Sequence, residues 1–175
     1  MARGERATTT RIERAGKVMA IIISGDTPLA PEDVFDLVTD FSDRRGEVFP
    51  AVSTKRTTVH SIGTERADVT EGTRAGPFVF WERCDYDWSQ PGRVLAVVTD
   101  SNVYASPDSE WELTAAPKGT GSTVTITWRR RFRNRPLGRF MGFVYRTQGK
   151  RAFTKYARDV LDNLEARVVA DTARA

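Results

Sequence analysis

The sequence predicts an α+β domain in which a curved antiparallel sheet of about seven strands wraps around one long C-terminal helix. Two observations support this prediction. From Pro136 to Val169 apolar residues recur at helical spacing, whereas nearly everything before that stretch has the pattern of strands and tight turns. A lone amphipathic helix of this length has no helical partner of similar size, so it must bury its apolar stripe against the sheet.

The first predicted elements are one strand and two short helices. Residues 18–24 are rich in β-branched and apolar side chains, which favours a strand. A helix is predicted in the segment TPLAPEDVFDLVTDF, where Pro31 suits the first helical position and Glu32 and Asp33 suit the positive end of the helix dipole. A second helical turn is expected at 45–49.

Six further strands are predicted from the alternation of apolar and polar residues between turns that contain Gly or Pro. They span residues 55–61, 65–73, 77–88, 93–100, 109–116 and 123–132. The final helix would measure about 50 Å, against about 33 Å for a ten-residue strand, so it can run diagonally across the whole sheet.

A single domain accounts for the 175 residues. We expect it to span 17–169, with a flexible basic leader at 1–16 and a frayed tail at 170–175. The leader lacks the apolar core of a secretory signal. The apolar run at 18–23 is far shorter than the roughly 18 residues of a membrane span. These patterns indicate a cytoplasmic protein without stable membrane insertion.

The composition is that of an ordinary globular domain with a modest positive charge. The chain has 27 basic and 23 acidic residues, an excess too small to favour nucleic acid as a partner. One histidine, His60, and one cysteine, Cys84, cannot build a zinc site from those residue types. A carboxylate site for magnesium or calcium is not excluded, but no loop has the expected spacing. Phosphate-binding glycine motifs are absent, so we expect no metal and no cofactor.

Several segments resemble a known superfamily. PEDVFDLVTDF with a proline near Pro50, FWERCDYDWSQPGRVLAVV, EWELTAAPKGTGSTVTITW and the closing helix are similar to the SRPBCC or START-like helix-grip superfamily, over about residues 17–169. That superfamily includes START lipid-transfer domains, birch-pollen-allergen-like proteins and polyketide cyclase/dehydrase-like bacterial proteins, to which the likeness is strongest. The resemblance implies a helix-grip fold, with a lipid, polyketide or aromatic metabolite as the ligand.

Strand alternation predicts which side chains face the cavity between sheet and helix. On the last strand Trp128 and Arg130 face inward. On the long middle strand Glu82 faces inward, unless the register is reversed and Trp81 and Arg83 do so instead. The predicted ligand-binding residues share an inward-facing aromatic, polar or long apolar side chain: Phe80, Glu82, Tyr86, Trp88, Trp111, Trp128, Arg130, Met141, Tyr145, Gln148 and Tyr156.

Glu82 and Arg130 are also the candidate catalytic residues. In an enzyme Arg130 could stabilise an enolate and Glu82 could move protons, although an adjacent arginine opposes the raised pKa that burial gives a carboxyl. The same two residues could equally form a structural ion pair. Gly142 and Gly149 share a helix face, where they either open space above the sheet or allow close packing.

Three functions fit these observations. The first is binding or carrying a small hydrophobic molecule, the second is a polyketide cyclase/dehydratase-type enzyme, and the third is an interaction module, including a homodimer. The run RRRFRNRPLGRF holds six arginines. This run fits either a solvated outer face or an anion-attracting rim at the cavity mouth, where an acidic partner or an anionic lipid headgroup could bind.

Overall fold

The computed structural model describes residues 8–75 and 78–174. In this part of the chain, eight strands form one antiparallel sheet. The strands are β1 (Thr8–Ala15), β2 (Val18–Thr27), β3 (Thr58–Ile62), β4 (Arg66–Ala75), β5 (Phe78–Asp87), β6 (Arg93–Ser101), β7 (Glu110–Lys118) and β8 (Gly121–Arg130). The helices are α1 (Pro31–Val38), α2 (Arg45–Val48) and α3 (Pro136–Thr172), with one 3-10 turn at Thr54–Arg56.

The strand order across the sheet is β1-β2-β8-β7-β6-β5-β4-β3. The segment containing α1 and α2 carries the chain from β2, near one edge, to β3 at the opposite edge. From β3 the strands follow one another as a meander until β8 pairs with β2. The long helix α3 then crosses one face, so the predicted helix-grip architecture of an α+β domain is confirmed.

The sheet buries one face because buried and more exposed residues alternate along much of β2, β6 and β7. Along β7 and β8, Leu113, Val124 and Ile126 are buried and point toward the helix side. Ile21 and Ile23 of β2 continue this apolar surface. The two-residue period places every second side chain of these strands in the same core, whereas the edge strand β3 is exposed along its whole length.

Helix α3 packs unevenly along its length. In the described part of α3 before Ala157, only three residues are buried, and all three are glycines: Gly138, Gly142 and Gly149. The second half contributes buried side chains to the core: Ala157, Val160, Leu161, Leu164 and Arg167. The C-terminal half of the helix is therefore held tightly, and the N-terminal half stands over the sheet without inserting a fully buried side chain.

The sheet has one strand more than predicted. Residues 1–16 were expected to be a flexible leader, but Thr8–Ala15 form β1, which pairs with β2 along its whole length. The run of β-branched threonines favours a strand, and Thr10 Oγ1 lies 2.7 Å from Thr154 Oγ1 of α3. Residues 1–7 of the expected leader lie outside the described residues.

The helix also continues beyond the predicted end. A frayed tail was expected from residue 170. This expectation is wrong for residues 170–172, because α3 continues to Thr172. Asp171 explains the extension, since its carboxylate pairs with Arg44 at 2.9 Å and with Arg167 at 3.2 Å. The pair with Arg44 connects the last helical turn to the residue that precedes α2.

The two glycines singled out in the sequence differ in how closely α3 approaches its neighbours. A Cβ atom at Gly142 would lie 3.3 Å from a ring carbon of Phe132, and one at Gly149 would lie 3.7 Å from Ile21 Cδ1. The closest neighbours are thus a phenylalanine and an isoleucine. Close approach therefore describes Gly142, whereas Gly149 leaves room for a methyl group at ordinary contact distance.

Gly149→Ala is expected to raise the free energy of unfolding by about 1 kcal/mol, because alanine lowers the backbone entropy cost of a helix and its methyl group fits at ordinary contact distance. Gly138→Ala is the matched variant, since its Cβ would collide with the carbonyl oxygen of Arg133 and should lower stability. Urea denaturation of both variants measures this. Destabilisation by Gly149→Ala would contradict the packing described.

Candidate ligand-binding cavity

A cavity of about 480 Å³ lies between the N-terminal half of α3 and strands β4, β5 and β8. Its volume falls in the range of roughly 300 to 1,000 Å³ that is usual for small-molecule sites. The side of the helix is formed by Met141, Val144, Tyr145, Ala152, Phe153 and Tyr156. The other side is formed by Ala51, Val52, Glu71, Gly72, Thr73, Phe80, Trp81, Glu82, Tyr104, Trp128 and Arg130.

Aromatic rings make up much of this wall and support each other edge to face. The ring of Tyr145 lies 4.8 Å from that of Phe153 and 4.9 Å from that of Phe132. Trp128 lies 5.1 Å from Phe153 and 5.9 Å from Tyr156. Such contacts contribute about 0.5–1.5 kcal/mol per pair beyond burial, so the rings stabilise one another in this arrangement.

The polar part of the cavity is an ion pair between β5 and β8. Arg130 is 4% exposed, and its Nη2 donates a hydrogen bond of 3.2 Å to Glu82 Oε1. Its Nη1 lies 3.0 Å from Glu82 Oε2, an ionic contact without hydrogen-bond geometry. Among the described residues, Nε and Nη1 of Arg130 have no hydrogen-bond acceptor. The guanidinium also lies 4.4 Å from the centre of the Tyr104 ring.

Burial sets the ionisation of these groups. Loss of hydration raises the pKa of Glu82 above its usual value, and this outweighs the opposing attraction of Arg130. Burial alone would lower the pKa of Arg130, but the negative charge of Glu82 raises it, so the guanidinium stays charged. Burial also raises the pKa of Tyr104 and of Tyr145, whose hydroxyl oxygens are 2.6 Å apart. The tyrosines therefore remain neutral hydrogen-bonding groups.

A second buried charge cluster lies deeper, around Arg45 of α2. Its Nε pairs with Glu71, its Nη2 donates to the hydroxyl of Tyr86 at 3.1 Å, and its Nη1 donates to a carbonyl of α1. The Tyr86 hydroxyl in turn donates to Glu71 Oε2 at 2.6 Å. The rings of Phe41 and Phe49 lie 4.3 Å and 4.6 Å from the guanidinium. This cluster is fully partnered, as a structural ion pair in a core requires.

A smaller cavity of about 60 Å³ adjoins the larger one and extends toward this cluster. The two cavities share Val52, Glu71, Glu82, Trp128, Arg130 and Tyr156 in their linings. Arg45 and Trp111 line only the smaller space. The two charge clusters are thus connected by one interior region.

Seven of the predicted ligand-binding residues line the larger cavity: Phe80, Glu82, Trp128, Arg130, Met141, Tyr145 and Tyr156. Strand β5 has the predicted register, in which Glu82 faces inward. Glu82 faces the cavity, whereas Arg83 lies on the outer face and donates to Asp68 Oδ1 at 2.8 Å. Trp81, which was assigned to the alternative register, also contributes to the lining.

The other four predicted residues do not line it. Tyr86 is buried under Arg45, and Trp111 lines the smaller cavity. Trp88 packs against Phe41 beyond the end of β5, and its Nε1 donates to a carbonyl at 2.8 Å. Gln148 is exposed on α3. Strand alternation predicts on which side of the sheet a side chain lies. Part of that side is covered by α1, α2 and the core of α3, so a residue there does not reach the larger cavity.

Sequence reasoning missed Arg45, Glu71, Tyr104 and Phe153 as neighbours of the site. Glu71 had a usable signal, because it alternates with Val69 on β4 and so shares its inward face. Phe153 belonged to the apolar stripe of the helix. Arg45 and Tyr104 had no usable signal in the sequence, since both lie outside the predicted strands and are positioned by tertiary contacts.

Residues 8–75 and 78–174 contain neither a metal-binding cluster nor a membrane-spanning helix. No group of three or more His, Cys, Asp or Glu side chains there is arranged to hold a metal ion. No helix in that part of the protein is long and apolar enough to cross a bilayer.

Comparison with known proteins identifies relatives of this fold. The model of the family described as polyketide cyclase / dehydrase and lipid transport matches residues 24–169. No curated protein matches the sequence significantly.

Solved structures with the same fold are distant in sequence. The Zhui aromatase/cyclase from Streptomyces sp. R1128 has a TM-score of 0.71 at 10% identity, covering 86% of this chain and 96% of the other. A protein from Thermus thermophilus gives 0.69 at 18% identity, covering 87% and 98%. A START superfamily protein from Mycobacterium smegmatis gives 0.64 at 9% identity, covering 86% and 97%. These likenesses establish the fold.

The pKa of Glu82 is expected to lie above the usual value of 4.5, because burial disfavours its charged form. The folded state then holds the proton more tightly than the unfolded chain. Stability should fall as the pH rises from 4.5 through the raised pKa, and Glu82→Gln should remove that part of the decrease.

NMR titration of the Glu82 carboxyl carbon, assigned by its disappearance in Glu82→Gln, measures the pKa directly. Chemical denaturation of both proteins across the same pH range measures the linked change in stability. A carboxyl that titrates at or below 4.5, or an identical decrease in both proteins, would contradict the burial described.

Proposed function

The chain belongs to the polyketide cyclase / dehydrase and lipid transport family, and we propose that it binds a small hydrophobic molecule in its 480 Å³ cavity. The ligand class is a lipid, polyketide or aromatic metabolite with one polar end. The observation on which this proposal chiefly depends is the buried guanidinium of Arg130, which lines a largely apolar space. Its Nε has no hydrogen-bond acceptor among the described residues, and its Nη1 has only the ionic contact with Glu82.

Unused donors at such depth support a role in recognition. A buried N–H group without an acceptor costs about 1–3 kcal/mol, so a purely structural arginine would be expected to have all its donors partnered. Arg45 provides the comparison, since each of its three nitrogens has an acceptor. A ligand oxygen at Arg130 Nε or Nη1 would supply the missing acceptor.

The lining supports a mainly apolar ligand body. Phe80, Trp128, Met141 and Phe153 present rings and a thioether to the space, and burial of apolar surface there contributes about 25 cal/mol per Å². Ligand sites generally combine such walls with a few fixed polar groups. The Tyr104–Tyr145 hydroxyl pair is a further polar contact beside Arg130.

Two fluorescent probes with the same ring system test this assignment. Anilinonaphthalene sulfonate carries an anionic group, and N-phenylnaphthylamine lacks it. The double variant Glu82→Gln/Arg130→Met removes both charges together and leaves no unpaired ion. We expect its affinity for the sulfonate to fall about tenfold or more, because a charge-assisted hydrogen bond is lost. Its affinity for the neutral amine should stay within about threefold, because the apolar wall is unchanged.

Fluorescence titration of both proteins with both probes gives the four affinities, and thermal unfolding verifies that the variant is folded. The wild-type protein must bind the neutral amine for the cavity to be a binding site. A wild-type protein that binds neither probe, or a double variant that loses both equally, would refute the proposed role of Arg130.

A second candidate function is polyketide cyclase-type catalysis. Glu82, with its raised pKa, faces the same space as Arg130 and could transfer a proton while Arg130 stabilises an enolate. Incubation with linear poly-β-ketone substrates decides between the two candidates. If the wild-type protein forms product, and if Glu82→Gln abolishes this activity while substrate affinity changes less than about tenfold, the protein is an enzyme. Absence of product from the wild-type protein would reject it.

A further inference from the structure

The first four turns of α3 expose an unusual combination of side chains. Phe140 and Phe143 are 51% and 61% exposed, and the neighbouring Phe78 of β5 is 44% exposed. Basic residues flank these rings on the same side of the helix. We call this region the aromatic–basic surface, and it consists of Phe78, Arg139, Phe140, Phe143, Arg146, Lys150 and Arg151.

The aromatic–basic surface adjoins the cavity. The rings of Phe140 and Phe78 lie 6.0 Å apart, and Phe78 stacks at 6.3 Å on Phe80, which lines the cavity. On the helix, Met141 follows Phe140 and also lines the cavity. The exposed rings therefore continue the apolar lining out to the protein surface.

Charge is concentrated around this surface. Residues 129–158 include 11 basic side chains and no acidic one. Since the whole chain has 27 basic and 23 acidic residues, the remainder has 16 basic against 23 acidic. The net charge of +4 is thus the sum of a strongly positive segment, residues 129–158, and a remainder of the chain that is net negative.

The basic side chains of the surface are also available. Arg129, Arg131 and Arg133 of the same segment pair with acidic residues of the sheet or its loops. By contrast, Arg139 and Arg151, like the other basic members of the aromatic–basic surface, form no ion pair within the described ranges. Their charge is open to an external partner.

We propose that the aromatic–basic surface docks on an anionic lipid bilayer. Helices that lie in a membrane interface place aromatic side chains at the acyl boundary and surround them with Lys and Arg, which bind lipid phosphates. Such docking turns the aromatic end of the cavity toward the bilayer, where a hydrophobic ligand could exchange. The docking itself is independent of whether the cavity binds that ligand.

Two other occupants fit the surface less well. A second copy in a two-fold dimer would bring the same positive surface against itself, and the unpaired charges would repel. A nucleic acid would need a continuous basic track, but the outward arginines of β8 and the loop after it are already paired with acidic residues. An anionic bilayer matches both the charge and the exposed rings.

Co-sedimentation with vesicles tests the docking. Vesicles of phosphatidylcholine and phosphatidylserine, in about a three-to-one ratio, should bind the protein, and neutral phosphatidylcholine vesicles should bind it much more weakly. Arg139→Gln/Arg151→Gln should lower the partition coefficient about fivefold per charge removed. The control Arg66→Gln/Lys118→Gln removes the same charge at the other end of the sheet and should change it less than about twofold.

The rings are tested separately. Phe140→Ser/Phe143→Ser should lower binding to the mixed vesicles, whereas Ile62→Ser/Val169→Ser, which removes two equally exposed apolar side chains elsewhere, should not. All four substituted positions are exposed, so folding should be preserved, and thermal unfolding checks this.

Failure of the wild-type protein to bind mixed vesicles, or equal losses in test and control variants, would overturn the docking. Light scattering that shows a dimer lost in Phe140→Ser/Phe143→Ser would assign the surface to a second copy and also overturn it. Titration of the same variants with N-phenylnaphthylamine separates this result from the cavity proposal, because probe binding should persist when vesicle binding is lost.

Discussion

The structure depends on how α3 is fixed against the sheet, tightly along its second half and loosely along its first. Val160, Leu161 and Leu164 fill the core, and Arg167 donates to Asp40 Oδ2 at 2.8 Å. With that half anchored, the rigidity of the helix carries its first half over β5 and β8 although no side chain there is fully buried. The space left between them is the cavity, so its existence follows from the uneven packing.

The interior contains two buried ion pairs, Arg45–Glu71 and Arg130–Glu82, which differ in how completely their donors are partnered. Burying charges is costly unless each donor is satisfied, and Arg45 meets that condition through Glu71, Tyr86 and a backbone carbonyl. Arg130 meets it only partly, because Glu82 satisfies one of its nitrogens with a proper hydrogen bond. The same residue types therefore have different roles, and the difference is visible only in the partners of individual atoms.

Much of the fold could be predicted from the sequence, because it depends on local periodicity. The two-residue period of β8 correctly placed Trp128 and Arg130 on the buried face, and the helical stripe correctly placed Tyr145 against the sheet. Periodicity failed where position depends on what covers a surface. Trp111 faces the expected side of the sheet, but it packs against Phe49 and Tyr86 and lines only the smaller cavity. Tyr104 lies in a loop and is positioned by an isolated bridge to Phe132.

The most direct test of the cavity is to fill it from the helix. Val144 lines the space and Thr147, one turn further along α3, is exposed outside it. Val144→Trp is expected to weaken N-phenylnaphthylamine binding at least about tenfold, since the added ring occupies the apolar volume that the probe needs. Thr147→Trp should bind the probe as the wild-type protein does. Equal binding by both variants would show that the probe lies elsewhere, and it would contradict a binding cavity between the first half of α3 and the sheet.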